Sequence, residues 1–175
     1  LVYDFGGFDP KYYQMTYETP DASDLARMVA KLMPDTESVV QASRGLDHGA
    51  WVPLRQMFPD SDVPVVTVSV QPHLGPRHAH AVGAALAPLV AQGFLLIGSG
   101  NITHNLGDWR MAEMTNSGVP AYVTRFADWI DQQLKSGQTD NLLDYRRQNA
   151  DGRQAHPSDE HLLPLYTAMG AGGES

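Results

Sequence analysis

The sequence predicts an α/β single domain with a mostly parallel central sheet flanked by helices. Two apolar runs and the helix between them carry the prediction. Residues 63–70, VPVVTVSV, are β-branched almost throughout, the composition of a strand buried on both faces. Residues 94–100, FLLIGSG, form a second apolar run that reads as a buried strand. Between them, RHAHAVGAALAPLVAQG reads as a helix ending at Gly93, with Pro88 as a kink. Strand, helix, strand is a βαβ unit whose crossover is right-handed, and sites in such sheets lie beyond the carboxyl ends of the strands.

The remaining elements follow in order. In residues 21–33, Leu25, Met28, Val29 and Leu32 form the stripe of an amphipathic helix, with Asp21 or Ser23 as cap and Pro34 as stop. GLDHGAWVPLRQMF forms a short helix after a glycine turn and is closed by Pro59. Residues 119–134 are a further amphipathic helix, and TDNLLDYRRQ a shorter one. A last helix starts at Ser158 or Asp159. No repeat, low-complexity segment or interdomain linker interrupts the 175 residues, a length that suits one domain. The opening LVYDFGG lacks a methionine and MGAGGES stops after a helix, so sequence is expected to be missing at both ends.

Composition excludes several classes. A net charge of −8 argues against nucleic-acid binding through a basic face. No apolar stretch approaches the roughly 20 residues of a membrane span, and no secretory signal pattern opens the chain. Cysteine is absent, which is compatible with a cytoplasmic protein and leaves any metal to His, Asp or Glu.

Seven histidines are the candidates for chemistry. His78 and His80 are two apart on a helix, diverge by about 200° and share no ligand face, so they read as a solvated helix start. His73 lies in a Pro/Gly-rich loop and reads as surface. His48 stands between Gly45 and Gly49, where backbone can approach a ligand, and Trp51 offers a flat wall one turn on. The competing reading makes this a helix start capped by Asp47. His161 falls in the first turn of a helix if Ser158 caps it; the positive end of the dipole favours the neutral imidazole, the form that binds metal. Glu160 would then point about 100° away from it. A satisfied polar residue at a helix start is the alternative. His104 follows the second apolar run in SGNITHNL, where Gly98, Gly100 and Asn101 already supply the turn. It is either a capping or packing histidine or one delivered to a site. Asn101 and Asn105 either aim that loop or are turn residues only. GSGN lacks the spacing and the lysine of a phosphate loop, and neither G-x-S-x-G nor H-E-x-x-H occurs.

Four stretches, YDFGGF, GLDHGAWVPL, SGNITHNL and HPSDEHLLPL, occur in the order and at about the spacing of the class III extradiol ring-cleaving dioxygenases. The chain resembles the DOPA 4,5-dioxygenase-like branch over nearly its whole length. The resemblance implies an α/β catalytic domain over residues 1–175 that opens a catechol-type ring with O₂ and a divalent metal, Fe(II) for activity or Zn(II) as bound. It gives His161 the role of metal ligand and His104 that of acid–base residue, in some descriptions also a ligand. It places His48 in the substrate pocket, where it is a catalytic and substrate-binding candidate; Trp51 and Asn101 are substrate-binding candidates by their own places in the sequence. Two further histidine motifs of the family, H-G-S-P and S-A-H-W, precede the YDFGGF match in relatives and have no counterpart in the sequence. A partial chain that binds metal poorly is therefore expected. The partners implied are a small aromatic diol and O₂, with no nucleic acid or membrane; homo-oligomerisation is left open. Two rivals stand beside this reading: a zinc-dependent hydrolase, and a catalytically silent binding protein on the same fold.

Overall fold

A computed structural model describes residues 1–33, 39 and 42–173. These residues fall into two compact units, Leu1–Ser69 and Val70–Ser175.

The expected sheet is not there. Among the described residues no strand is formed, and the architecture is helical. Residues 63–70 and 94–100 run without regular secondary structure, and the predicted βαβ unit falls with them. They are not buried on both faces either: Leu95 is 67% exposed, Ile97 42% and Val68 40%. The physical reason is that β-branched composition favours extended backbone, whereas a strand exists only where a second segment supplies its ladder.

In the first unit, a 3₁₀ turn at Pro10–Gln14 begins where the Asp9 carboxylate accepts from Lys11 N at 2.9 Å. Helix α1, Ser23–Leu32, keeps the predicted stripe but not the predicted cap. Ala22 stands at the N-cap, and the Ser23 hydroxyl donates to Asp21 at 2.7 Å instead. Pro34, the expected stop, lies outside the described residues. Helix α2, His48–Met57, starts as read: Asp47 caps it by accepting from Ala50 N at 3.1 Å. Trp51 and Leu54 point from α2 into a small core with Tyr17, against which Leu1, Phe5, Met15 and Val65 pack. The Tyr17 hydroxyl closes this core by donating to Phe58 O at 2.8 Å.

The second unit opens with a 3₁₀ turn at Pro72–Leu74 that leads into α3, Gly75–Ala91, and its last helix is α9, Leu163–Gly172. Between them lie α4 (Leu106–Thr115), α5 (Ala121–Lys135), α6 (Thr139–Leu143), α7 (Tyr145–Gln148) and α8 (Gly152–Ala155). Helix α5 buries Tyr122, Phe126, Ile130 and Gln133, the spacing of one helical face, against Leu142, Tyr145, Leu162, Leu163 and Tyr166. Helices α3 and α9 meet backbone to backbone through glycines. A Cβ added at Gly83 would lie 2.0 Å from Thr167 O, and one at Gly170 would lie 2.0 Å from His80 O.

Two details differ from expectation near the site. Helix α4 has no clear apolar stripe and was not predicted; Asn105 starts it by accepting from Asp108 N at 3.0 Å. The last helix begins at Leu163 and not at Ser158 or Asp159. Pro164 suits the first turn of a helix, and the Asp159 carboxylate is occupied elsewhere. Residues 157–162 are therefore bends and turns.

Candidate active site

The segment Ser99–Asn105 and the stretch from Gln154 to His161 are laced together. Asn101 N donates to His161 O at 2.7 Å, and His104 N donates to Ala155 O at 2.9 Å. The Asn105 amide donates to Gln154 O at 2.8 Å while its oxygen caps α4. Close approach is written into the sequence at Gly100: a Cβ there would sit 2.3 Å from His161 O.

This lacing brings His104 and His161 together. Their rings are parallel within 11°, with centroids 3.4 Å apart. Both residues are half-buried. His161 Nδ1 also lies 3.4 Å from a Glu160 carboxylate oxygen. The expected divergence of Glu160 does not occur, because the two residues are in a turn and not on a helix. Burial opposes ionisation of Glu160, yet the Ser158 hydroxyl, its own backbone and His161 hold it below the usual carboxylate range.

A polar brace holds the turn that leads to His161. Asp159 accepts from the Tyr145 hydroxyl at 2.6 Å and from Arg146 Nε at 2.7 Å, and a second Arg146 nitrogen reaches both Asp159 and His156 O. Burial and then the Asp159 carboxylate push the Tyr145 hydroxyl up. Under α4, burial followed by the Asp108 carboxylate pushes Tyr122 up to about 12, so it is a neutral donor at ordinary pH. His156, passed over in the sequence reading, is 0% exposed, and its Nε2 is 2.7 Å from Ile102 O. Burial, chiefly, pulls its imidazolium below the ordinary range, with smaller repulsion from His104 and His161.

The first unit carries His48, at the start of α2. Its Nδ1 donates to Asp4 Oδ1 at 2.6 Å and its backbone N donates to the same oxygen at 3.2 Å. Burial works against the Asp4 charge, but these bonds hold the carboxyl below its usual range. Asp4 thereby fixes the ring with Nδ1 protonated and leaves Nε2 for another partner. Sequence reasoning quoted Asp4 inside YDFGGF without giving it a role. The Phe5 ring meets His48 edge-on at 5.8 Å. Trp51 is 3% exposed, a core residue behind Phe5 and Tyr3, and its indole N–H has no acceptor among the described residues. Asn101 is exposed. His78 and His80 lie on α3 as read, with His78 Nε2 3.2 Å from Gln71 Oε1.

The family described as the catalytic LigB subunit of aromatic ring-opening dioxygenase matches residues 1–175. The chain belongs to this family. Among curated LigB relatives, a 4,5-DOPA dioxygenase extradiol of Beta vulgaris is 40% identical over 99% of this chain and 65% of its own length. One of Escherichia coli is 32% identical over 97% of this chain and 63% of its own. The chain thus spans about 65% of the length of such relatives. A crystal structure of an uncharacterized Escherichia coli protein superposes with a TM-score of 0.75 at 27% identity, covering 91% of this chain and 66% of that one. Among the described residues, no helix is long and apolar enough to cross a membrane.

Proposed function

We propose that the chain is the larger part of an extradiol dioxygenase that opens a catechol-type ring with O₂. The observation that carries the reading is the His104–His161 pair, two half-buried imidazoles in contact on a loop whose backbone is tied down on both sides. Imidazole nitrogen suits Fe(II) or Zn(II). The pair fits such an ion as part of a donor set; among the described residues no group of three or more His, Asp or Glu is arranged to hold one. His161 would be the ligand, with His104 beside it as a further donor or as the acid–base residue. When bound, the divalent metal supplies Lewis acidity toward the diol oxygens and a place for O₂.

The chain's own residues do the rest. His104 takes a hydroxyl proton from the diol on a ring nitrogen and returns it to the opening ring, a role suited to an imidazole, which can both accept and donate a proton. The resemblance gives His48, held by Asp4 with Nε2 available, the part of hydrogen-bonding the substrate. Asn101, exposed on the His104 loop, contributes a polar contact, and Trp51 backs the aromatic wall formed by Phe5. Loading the full-length protein with Fe(II) or Zn(II), with and without air, tests this. Oxygen consumption matched to catechol loss with Fe(II) alone supports a dioxygenase; air-independent hydrolysis with Zn(II), or no turnover of any catechol, overturns it.

A further inference from the structure

We propose that His156 is a positioning residue: its buried ring, as the Nε2–H tautomer, donates to Ile102 O and so fixes the loop that holds His104 against His161. The inference deepens the reading of His104 as the proton carrier, and its kinetic consequence rests on that reading.

The tautomer follows from the partners. Nε2 faces a carbonyl oxygen at 2.7 Å, which can only accept, so Nε2 must carry the hydrogen. Nδ1 is buried with no hydrogen-bond partner among the described residues. A lone pair there is tolerated better than a stranded N–H, which fixes the same tautomer from the other side of the ring. The ring cannot turn away. Phe126 packs against it at 5.9 Å and Tyr145 at 6.4 Å, edge-on, and the His156 carbonyl is held by Arg146 at 2.7 Å.

The bond falls where the loop needs it. Asn101 and His104 are tied by their backbone N–H groups to His161 O and Ala155 O. Ile102, between those two anchors, is tied by its carbonyl to a side chain. The two main-chain ties survive substitution, and the Asn105 amide holds the far end of the arc on Gln154 O; the tie at the middle depends on residue 156. Without it, the Ser99–Asn105 arc is pinned at its ends and free at its middle, and His104 is the side chain that arc delivers.

The test uses the full chain and three readouts. Long-range ¹H–¹⁵N spectra of the wild type should show His156 neutral with Nε2 protonated; an Nδ1–H tautomer or an imidazolium would overturn the proposal. His156→Phe keeps a ring and loses the donor, whereas His156→Gln keeps an N–H near the Nε2 position. Amide exchange at His104 N–H should quicken at least tenfold in His156→Phe and return toward wild type in His156→Gln. With Fe(II) and a catechol, His156→Phe should lower kcat by roughly 10–100-fold with KM and metal content within twofold, and His156→Gln should recover most of it. Equal losses in both variants, or none in His156→Phe, overturn the role. If His156→Phe does not fold, the wild-type tautomer and His156→Gln exchange decide the outcome. If the wild type turns over no catechol, the dioxygenase reading fails, while tautomer and exchange still decide the placement.

Discussion

Replacing Gly100 with Ala adds one methyl group at the narrowest point of the site. The new Cβ would lie 2.3 Å from His161 O and 3.2 Å from the Pro164 ring. Ordinary contact begins at 3.4 Å, so the carbonyl and the loop must separate by more than an ångström. The φ of Gly100 is not positive, so an alanine meets no backbone objection and the effect isolates the contact itself. Separation stretches the 2.7 Å bond from Asn101 N to His161 O past any useful length. Overpacking of this kind costs about 1–3 kcal/mol, and the lost bond about 1 kcal/mol more. The two histidines ride on the segments being forced apart, and a 1 Å misplacement of reacting groups costs about 10²-fold in rate. Thermal unfolding and steady-state turnover of the metal-loaded full chain measure both quantities. A Gly100→Ala variant with wild-type stability and kcat would refute the reasoning, because the loop would then have to yield freely.

Four further outcomes are expected. His104→Ala should lower turnover by about 10²–10⁴-fold, the range for general acid–base catalysis, with little change in melting temperature; metal content survives if His104 only carries protons and falls if it is also a ligand. In the full-length protein, His161→Ala should remove most bound metal, measured by elemental analysis after equilibrium dialysis, and unchanged stoichiometry would take it out of the donor set. Asp4 is held below its ordinary value of 3.8, so its contribution is present above that pH and is lost as pH falls through the lower folded value. Asp4→Asn should flatten that acid limb and weaken turnover as His48→Ala does, both with near-normal metal content. Gly170→Ala should destabilise the second unit by about 1–3 kcal/mol in a denaturant melt, since its Cβ would lie 2.0 Å from His80 O.

What could be read from the chain divides along the range of the forces involved. The helices at 48–57, 75–91 and 121–135 were legible because periodicity, caps and breakers are local. The sheet was not, because 63–70 and 94–100 advertise extended backbone while the ladder depends on residues elsewhere. Helix α4 escaped because its apolar pattern is weak, although Asn105 followed by Asp108 was a start signal in plain sight. His104 and His161 were singled out in sequence, by loop chemistry and by resemblance, yet the 3.4 Å stack between them comes from the lacing of 99–105 to 154–161. His156 and Asp4 were missed for one reason. Each acts through a hydrogen bond to a partner 44 or more residues away, to Ile102 and His48 respectively, which no local pattern announces.

The glycine seam between α3 and α9 has a consequence for how the site could diverge. Two helices that touch through main-chain atoms at Gly83 and Gly170 cannot slide past one another by a fraction of a turn, because any shift drives a Cα substituent or carbonyl into its neighbour. Helix α9 is therefore a fixed post, and its first residue, Leu163, has a fixed address. Insertions or deletions in residues 157–162 cannot be absorbed by moving the post. They must appear as a change in the reach of His161. That short turn, and not the helix behind it, is where drift or an engineer would retune the spacing of the two imidazoles.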